Sequence, residues 1–535
     1  LTAPIPLAER SARRLSEHLR AFERDESGAI GVVFALVFMV PLLMVALAID
    51  FGRADLEMQR IQRATDAAAL AASHRLGLDD QETSGPDMAR RFFDANVSKQ
   101  AAERVESVTL DAVKGQVVVS SGGTIFTSLL NAVGLRNIGL QARSRVVKGD
   151  GTIEIALVVD NSGSMAGQPI ADLQAAAQSL TQVVFTGAED SDRVQMAIVP
   201  FSGAVNVGSD NRVSPWMDEA GLSSLNGANF SANVARFTVF DRMGVSWRGC
   251  VEARPAPYDV TDAPAAGATP DTLFVPMLAP DEPDSVNSGG QSYNNSYLVD
   301  DGGTCTPQPT VCTSYNRRGA CTNWQKTPIP AAEAQARLCK YETMTAPSPD
   351  GPNYMCDSEP LLPLTGIMSL VESKISSLIA KGNTNIGEGL AWGWRVLSPV
   401  EPFTEGRAYD APNNDKIIIL MTDGANTYTS ASNHNKSRYG AFGYGAAGRL
   451  GTTYTNSGYV SRMNQKTLAV CANAKAAGIR IYTVAFRLES DPATLSLLQT
   501  CASEASKAFR ASDGAALVSA FQRIGTEISK LRVAE

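Results

Sequence analysis

The 535-residue sequence predicts an α/β protein built on a doubly wound, Rossmann-like, mostly parallel sheet. The sheet carries a disulfide-rich insertion and is preceded by one transmembrane helix and a small α+β module. Three observations carry this expectation. Beyond residue 151, short runs that are apolar on both faces alternate with amphipathic helical stretches, the pattern of strands covered by helices on either side. From Ser27 to Ile49 no residue is charged. All eight cysteines follow that uncharged run.

The uncharged run, "SGAIGVVFALVFMVPLLMVALAI", is the first element. As a helix of about 23 residues it spans roughly 35 Å, enough for a bilayer core of about 30 Å. Pro41 is tolerable there because neighbouring groups satisfy the freed carbonyl. The run starts too late and is too long for a cleaved signal peptide. Arg10, Arg13, Arg14, Arg20 and Arg24 precede it, against Arg53, Arg60 and Arg63 close behind. That bias places residues 1–26 in the cytoplasm, residues 27–49 in the membrane and the bulk of the chain outside. The cysteines agree: one-sided and without tight C-x-x-C pairs, they suggest disulfides in an oxidising compartment.

Residues 50–149 form the next unit. The Ala-rich stretch after Asp50 reads as the same helix continuing outward as a rigid stalk, followed by a second short helix, "DMARRFFDANV". Val-rich runs and Gly turns then complete a small α+β module near residue 149.

From residue 150 the doubly wound pattern begins. "IEIALVV" is a strand, and Ile170, Leu173, Ala177, Leu180 and Val184 mark one face of the helix after it. "RVQMAIVPFSG", "KIIILMT" and "IRIYTVAF" are further strands. Helices are expected before Ile479 and from Ser512, the latter with Leu517, Phe521, Ile524, Ile528 and Leu531 at helical spacing. Residues 208–358 break the rhythm, being rich in Pro, Gly, Asn and Asp and holding six cysteines. They read as one insertion stapled by disulfides, dividing the sheet domain into 150–207 and 359–535. Within it, Asp281/Glu282/Asp284 and Asp300/Asp301 read as a solvated acidic loop, with calcium binding the alternative.

The candidate site lies where strands end. In open α/β sheets ligands bind beyond the carboxyl ends of the strands. Asp160 sits at such an end, with Ser162 and Ser164 in the following loop. "KIIILMTDGANT" delivers Asp423 to the same edge, and "KGNTNIGEGL" places Thr384 in a Gly-flanked loop before a helix beginning near Ile386. Two carboxylates and three hydroxyls at one rim suit a hard divalent cation: Mg²⁺ first, with Mn²⁺ or Ca²⁺ also compatible. Residues 427–465, with Tyr428, Tyr439, Tyr444, Tyr454 and Tyr459, read either as a recognition loop beside the site or as a floppy surface loop.

Composition excludes other classes. The formal charge of −8 argues against nucleic acid as a partner. The three histidines, His18, His74 and His434, are too scattered for His-based zinc or a Ser-His-Asp triad. No activated nucleophile or general base accompanies the five oxygens, so a metal-dependent hydrolase is disfavoured and no enzyme activity is expected.

Two resemblances add to this. Gly28-Ala29, Phe34-Ala35-Leu36, Pro41, Asp50-Gly52-Arg53 and the Gln62–Ala72 stretch resemble the N-terminal segment of TadE/TadG-like proteins of the Flp, or tight adherence, pilus system. Related pseudopilins carry Glu five residues after a cleavage-site Gly; here that position is Val33, so a retained anchor is expected. The insertion stretches "WRGCVEARPAPYDVTDAP", "LFVPMLAPDEPD" and "YLVDD" resemble TadG-like proteins as well. The order Asp160-x-Ser162-x-Ser164, Thr384, Asp423 resembles the metal-ion-dependent adhesion site of von Willebrand factor A domains. That resemblance implies direct coordination by Ser162, Ser164 and Thr384, with Asp160 and Asp423 acting directly or through water. TadG-like proteins carry a cysteine pair similar to Cys471 and Cys501, which implies a bridge there and pairing of the other six cysteines within the insertion.

The expected function is a metal-dependent protein-binding component of pilus assembly, anchored in the bacterial inner membrane with its bulk in the periplasm. Its partner would offer an Asp or Glu carboxylate, as another pilus or secretion component. The alternative is an envelope-anchored adhesin that binds an external protein ligand.

Overall fold

The computed structural model describes residues 27–73, 75, 81–97, 104–111, 116–147, 151–186, 192–342 and 345–531. The expected cytoplasmic segment, with the arginines preceding the apolar run, lies outside them. The chain divides into two compact units at Gly149/Asp150.

In the first unit, α1 runs unbroken from Ser27 to Ser73 with Pro41 inside it. Among the described residues it is the one helix long and apolar enough to cross a bilayer. Its apolar side chains from Val32 to Ile49 are largely exposed to the surroundings. Beyond Asp50 the helix changes character. Ala54, Ile61, Ala64, Ala68 and Ala72 are buried at helical spacing against Val117, Val119, Leu140 and Ala142. The helix expected as a rigid stalk thus also forms half of a helix–sheet interface, where small Ala side chains let a helix approach a sheet closely.

The second helix, α2 (Gln81–Asn96), starts earlier than its apolar pattern suggested and brings Ala89 and Phe93 into the same core. Three antiparallel strands, β1 (Arg104–Asp111), β2 (Gln116–Phe126) and β3 (Asn137–Val147), form the sheet in that order. A short 3-10 turn at Leu130–Val133 joins β2 to β3, and Gly134 takes the left-handed conformation (φ 91°) that ends it. The buried Asp50 carboxylate accepts hydrogen bonds from the Ser128, Leu129 and Leu130 amides at 2.8–3.0 Å. Those amides would otherwise be orphaned, and the Leu130 amide foremost holds the carboxyl below its ordinary range.

The second unit is built on a six-stranded sheet. Its first elements are β4 (Thr152–Asp160), α3 (Gln168–Phe185) and β5 (Val194–Phe201). The insertion contributes α4 (Arg236–Arg242), the hairpin β6 (Thr310–Tyr315) and β7 (Cys321–Lys326), and α5 (Ala331–Ala336). Then follow β8 (Leu362–Thr365), α6 (Met368–Ser376), α7 (Ile386–Arg395) and β9 (Asn414–Thr422). The chain continues through α8 (Asn456–Ala476), β10 (Arg480–Phe486), α9 (Pro492–Cys501), β11 (Ala508–Ala511) and α10 (Gly514–Leu531).

The sheet order is β11-β10-β9-β4-β5-β8, parallel except for the edge strand β8. Along β4, Ile153, Ile155, Leu157 and Val159 face one core, and Ala156 and Val158 face the other. β9 repeats this with Ile417, Ile419 and Met421 against Ile418 and Leu420. Burial on both faces is what makes these strands read as unbroken apolar runs. One face is covered by α3, α6 and α10, the other by α7, α8 and α9 together with residues of the insertion.

The insertion is more than a stapled loop. Trp216, Phe237, Phe240, Trp247 and Phe274 enter the same core as α7, where Phe274 lies 4.7 Å from Trp392 between ring centroids. Cys250–Cys356, Cys305–Cys339 and Cys312–Cys321 bridge within it, and Cys471–Cys501 ties α8 to α9.

The acidic residues of the insertion are not a solvated loop: Asp281, Glu282 and Asp300 are buried, and a lysine pairs with two of them. Lys340, fully buried, lies 2.7 Å from Asp281 and 3.4 Å from Asp300. Asp281 also accepts the Tyr297 and Leu298 amides, Glu282 those of Asn294 and Asn295, and Asp301 pairs with Lys326 at 2.5 Å. The acidic side chains organise the loops around them.

Candidate metal centre

β4 and β9 are hydrogen-bonded neighbours in register Val159↔Met421, so Asp160 emerges beside Thr422 and its successor Asp423. After Asp160 the chain turns through the 3-10 segment Gly163–Met165, in which buried Met165 plugs the loop into the core. Ser162 and Ser164 are left at the rim. Gly163 is held by its amide on the Gly382 carbonyl at 2.9 Å, which clamps this loop to the one carrying Thr384. That second loop is clamped in turn to the β9 loop: the Thr384 amide donates to Thr427 Oγ1 and the Thr427 amide to the Thr384 carbonyl, both at 2.8 Å.

The five oxygen-bearing side chains singled out in the sequence come together. Ser164 Oγ donates to Asp423 Oδ1 at 2.7 Å and lies 3.1 Å from Ser162 Oγ, which accepts from Thr384 Oγ1 at 3.0 Å. Asp160 Oδ1 accepts the Ser162 amide at 2.9 Å. Ser164 is exposed and Asp423 half-buried, while Asp160, Ser162 and Thr384 are buried, so the cluster opens on one side only. It borders a cleft of about 370 Å³ whose walls include Asn426, Thr427, Thr429 and Asn456.

The electrostatics of this rim are unbalanced. Burial pushes the Asp160 carboxyl up to about 6, opposed by the Thr422 hydrogen bond and reinforced by the neighbouring Asp423 charge. Burial also raises Asp423, against the pull of Ser164. Two carboxylates and three hydroxyls packed this closely form a donor set of hard oxygens, which fits Mg²⁺ or Mn²⁺ better than a softer ion. Among the described residues no cluster of three or more His, Cys, Asp or Glu side chains is placed to hold a metal.

Three supporting residues were not singled out in the sequence. Thr422 Oγ1 donates to Asp160 Oδ2 at 2.6 Å, locking the carboxylate. Asn426 Oδ1 accepts the first amide of α7, from Ile386, at 2.8 Å, and Thr427 makes the clamp described above. All three lie in "TDGANT", whose spacing gives no hint of which side chains turn inward.

The tyrosine-rich stretch is not a floppy loop: it contributes Thr427, Tyr428, Thr429 and Asn456 to the cleft beside the cluster, while most of its tyrosines are packed inward. Tyr428, Tyr439, Tyr444 and Tyr459 are buried, and only Tyr454 is exposed. Tyr428 packs edge-on against Tyr459 at 5.4 Å, and Tyr439 against Tyr444 at 5.2 Å. The Tyr439 hydroxyl donates to Glu252 Oε1 at 2.5 Å and that of Tyr459 to the Lys436 carbonyl at 3.0 Å. The last ten residues of the stretch are the start of α8.

The sheet order, the flanking helices and the three loops meeting at the carboxyl edge make the second unit a doubly wound α/β domain with the layout expected of a von Willebrand factor A domain. Residues 28–75 match the family model of putative Flp pilus-assembly TadE/G-like proteins. No curated protein sequence matches the chain. Among solved structures, the chain is similar to the von Willebrand factor domain of the type V pili tip protein Mfa5 from Porphyromonas gingivalis, at 11% identity over 72% of this chain and 97% of that one, TM-score 0.33. It is also similar to the pilus adhesin SpaC from Lactobacillus rhamnosus GG, at 12% identity over 80% of this chain, TM-score 0.32, and spans 34% of that chain. A third is proximal thread matrix protein 1 from the mussel byssus with a zinc-occupied adhesion motif, at 10% identity over 72% of this chain and 48% of that one, TM-score 0.26.

Proposed function

We propose that the chain is a membrane-anchored component of the Flp pilus machinery in the bacterial inner membrane, with its A-type domain in the periplasm. The domain holds a protein partner through a divalent cation. The observation that carries this reading is the hydroxyl cluster: Ser162, Ser164 and Thr384 oxygens within 3.1 Å of their neighbours, flanked by Asp160 and Asp423. Such a site compensates a cation's charge incompletely and leaves a replaceable position, which a partner's Asp or Glu carboxylate fits by neutralising charge and displacing water. Match of residues 28–75 to the TadE/G-like family supports pilus assembly over the adhesin reading. Among the described residues no His or free Cys side chain bonds to the five, which supports binding over catalysis.

A pull-down from solubilised envelopes with and without chelator tests this. Partner capture should depend on Mg²⁺, vanish in Asp160→Ala and weaken more mildly in Thr384→Ala, which removes a neutral ligand. Capture that is unchanged by chelation would reduce the cation to a tie between loops and sink the adhesion-site reading.

A further inference from the structure

The turn between β2 and β3 carries exposed apolar side chains that the domain's own core does not use. Phe126 is 72% exposed, Leu129 45% and Leu135 57%. They cluster around one place on α1. Asp50, the first charged residue after the apolar run, accepts the amides of Ser128, Leu129 and Leu130, and Arg53 donates to the Ser128 hydroxyl. Leu130 itself is buried, so the turn is fastened to the helix at this level while Leu129 and Leu135 point away from the protein.

The rest of the module runs in the opposite direction. Thr65, fifteen residues further along α1, bonds Ser121 Oγ at 2.6 Å. At about 1.5 Å per residue, that contact lies roughly 22 Å farther from the apolar run than Asp50 does. The sheet therefore extends away from the run, and the β2–β3 turn is its near end. A bilayer's interfacial layer adds about 5–8 Å beyond each side of the hydrocarbon core. A turn fastened at the first charged residue falls within it.

We propose that residues 126–136 form a second membrane contact, with Phe126, Leu129 and Leu135 entering the interfacial layer of the bilayer that α1 crosses. The occupant of this apolar face is lipid because the face is continuous with the apolar surface of α1. Exposed Arg136 and half-exposed Arg53 flank it, where basic side chains meet headgroup phosphates. Backbone polarity is no obstacle, since Asp50 and the turn's own hydrogen bonds satisfy the amides of residues 128–130 and the amide of Leu135. The contact would set how the module stands on the membrane instead of leaving it free to swing on a single helix. This inference rests on α1 spanning the bilayer.

The test uses the full chain in liposomes of phosphatidylcholine and phosphatidylglycerol. An environment-sensitive fluorescent amino acid replaces, in turn, Leu129, Leu135, Met39 in the middle of the apolar run, and Thr109. Thr109 is exposed and pairs with Val118, toward the end of β2 remote from Phe126. Probes at Leu129 and Leu135 should be blue-shifted and quenched severalfold more by headgroup-proximal nitroxide lipids than by aqueous iodide, with the reverse at Thr109. If both behave like Thr109 while Met39 is quenched by lipid, the second contact is wrong and the anchor stands. If Met39 is open to iodide, the anchor is wrong and the second contact falls with it.

Discussion

Asp160 is held in two ways that favour opposite protonation states. The Ser162 amide and the Thr422 hydroxyl point their hydrogens at its two oxygens, as they would at a carboxylate, while burial beside Asp423 penalises the charge. In the proposed site a bound cation would reconcile the two, with Thr422 orienting a ligand instead of coordinating. Outer-shell partners of this kind change metal affinity by about 10–100-fold when removed. Thr422→Val, which keeps the shape and deletes the hydroxyl, should therefore lower Mn²⁺ affinity by about 10-fold with little change in the circular dichroism spectrum. Unaltered affinity would mean that Asp160 is held well enough without it. Thr422 also shows what a sequence hides. Asp160, Ser162 and Ser164 are legible because they share one short loop, and Asp423 because it ends an apolar strand. Thr422 is the strand's last residue, and only the β4–β9 register reveals what it faces.

At the scale of elements, the insertion and the tyrosine stretch are joined by buried charge. Arg236 on α4 and Arg449 each lie 2.5 Å from a Glu252 oxygen, and Tyr439 donates to the same carboxylate. Burial alone would raise the Glu252 carboxyl; Arg236 and Arg449 overcome it and hold it below its ordinary value of 4.5. Removing one partner of a buried pair strands the other charge, so Glu252→Gln should destabilise the protein by about 3 kcal/mol or more in urea unfolding near neutral pH. The sign with pH follows from the lowered carboxyl. Its stabilisation is present above the unfolded value of 4.5 and is lost as pH falls through the folded one. The gap between wild type and variant should thus narrow as pH drops below about 4.5. A gap that widened in acid would contradict this account of the cluster. None of it was legible beforehand, because Glu252 and Arg449 are separated by 197 residues. The same blindness made Asp281 and Asp300 look solvated, since Lys340 comes from another turn of the insertion.

For the whole molecule, the layered sheet was legible because runs such as 155–159 are apolar at every position, as strands of a parallel sheet covered on both faces are. The insertion's share of the core was not, since Phe274 has no periodic neighbours to announce that it stacks near Trp392. The placement of the molecule follows from α1. Under the proposed topology, in which the arginine bias and the disulfides favour that end lying across the membrane, an alkaline phosphatase fused after residue 150 should be active in cells; an inactive fusion would reverse the topology. The proposed site is narrower in scope: five side chains from three loops would hold one divalent cation. Titration calorimetry of Mn²⁺ into chelator-stripped protein tests it most directly, with the double variant Asp160→Asn, Asp423→Asn alongside. The wild type should bind one ion per chain, and the variant none at an unchanged fold. Equal binding by both proteins, or none by a folded wild type, would contradict it.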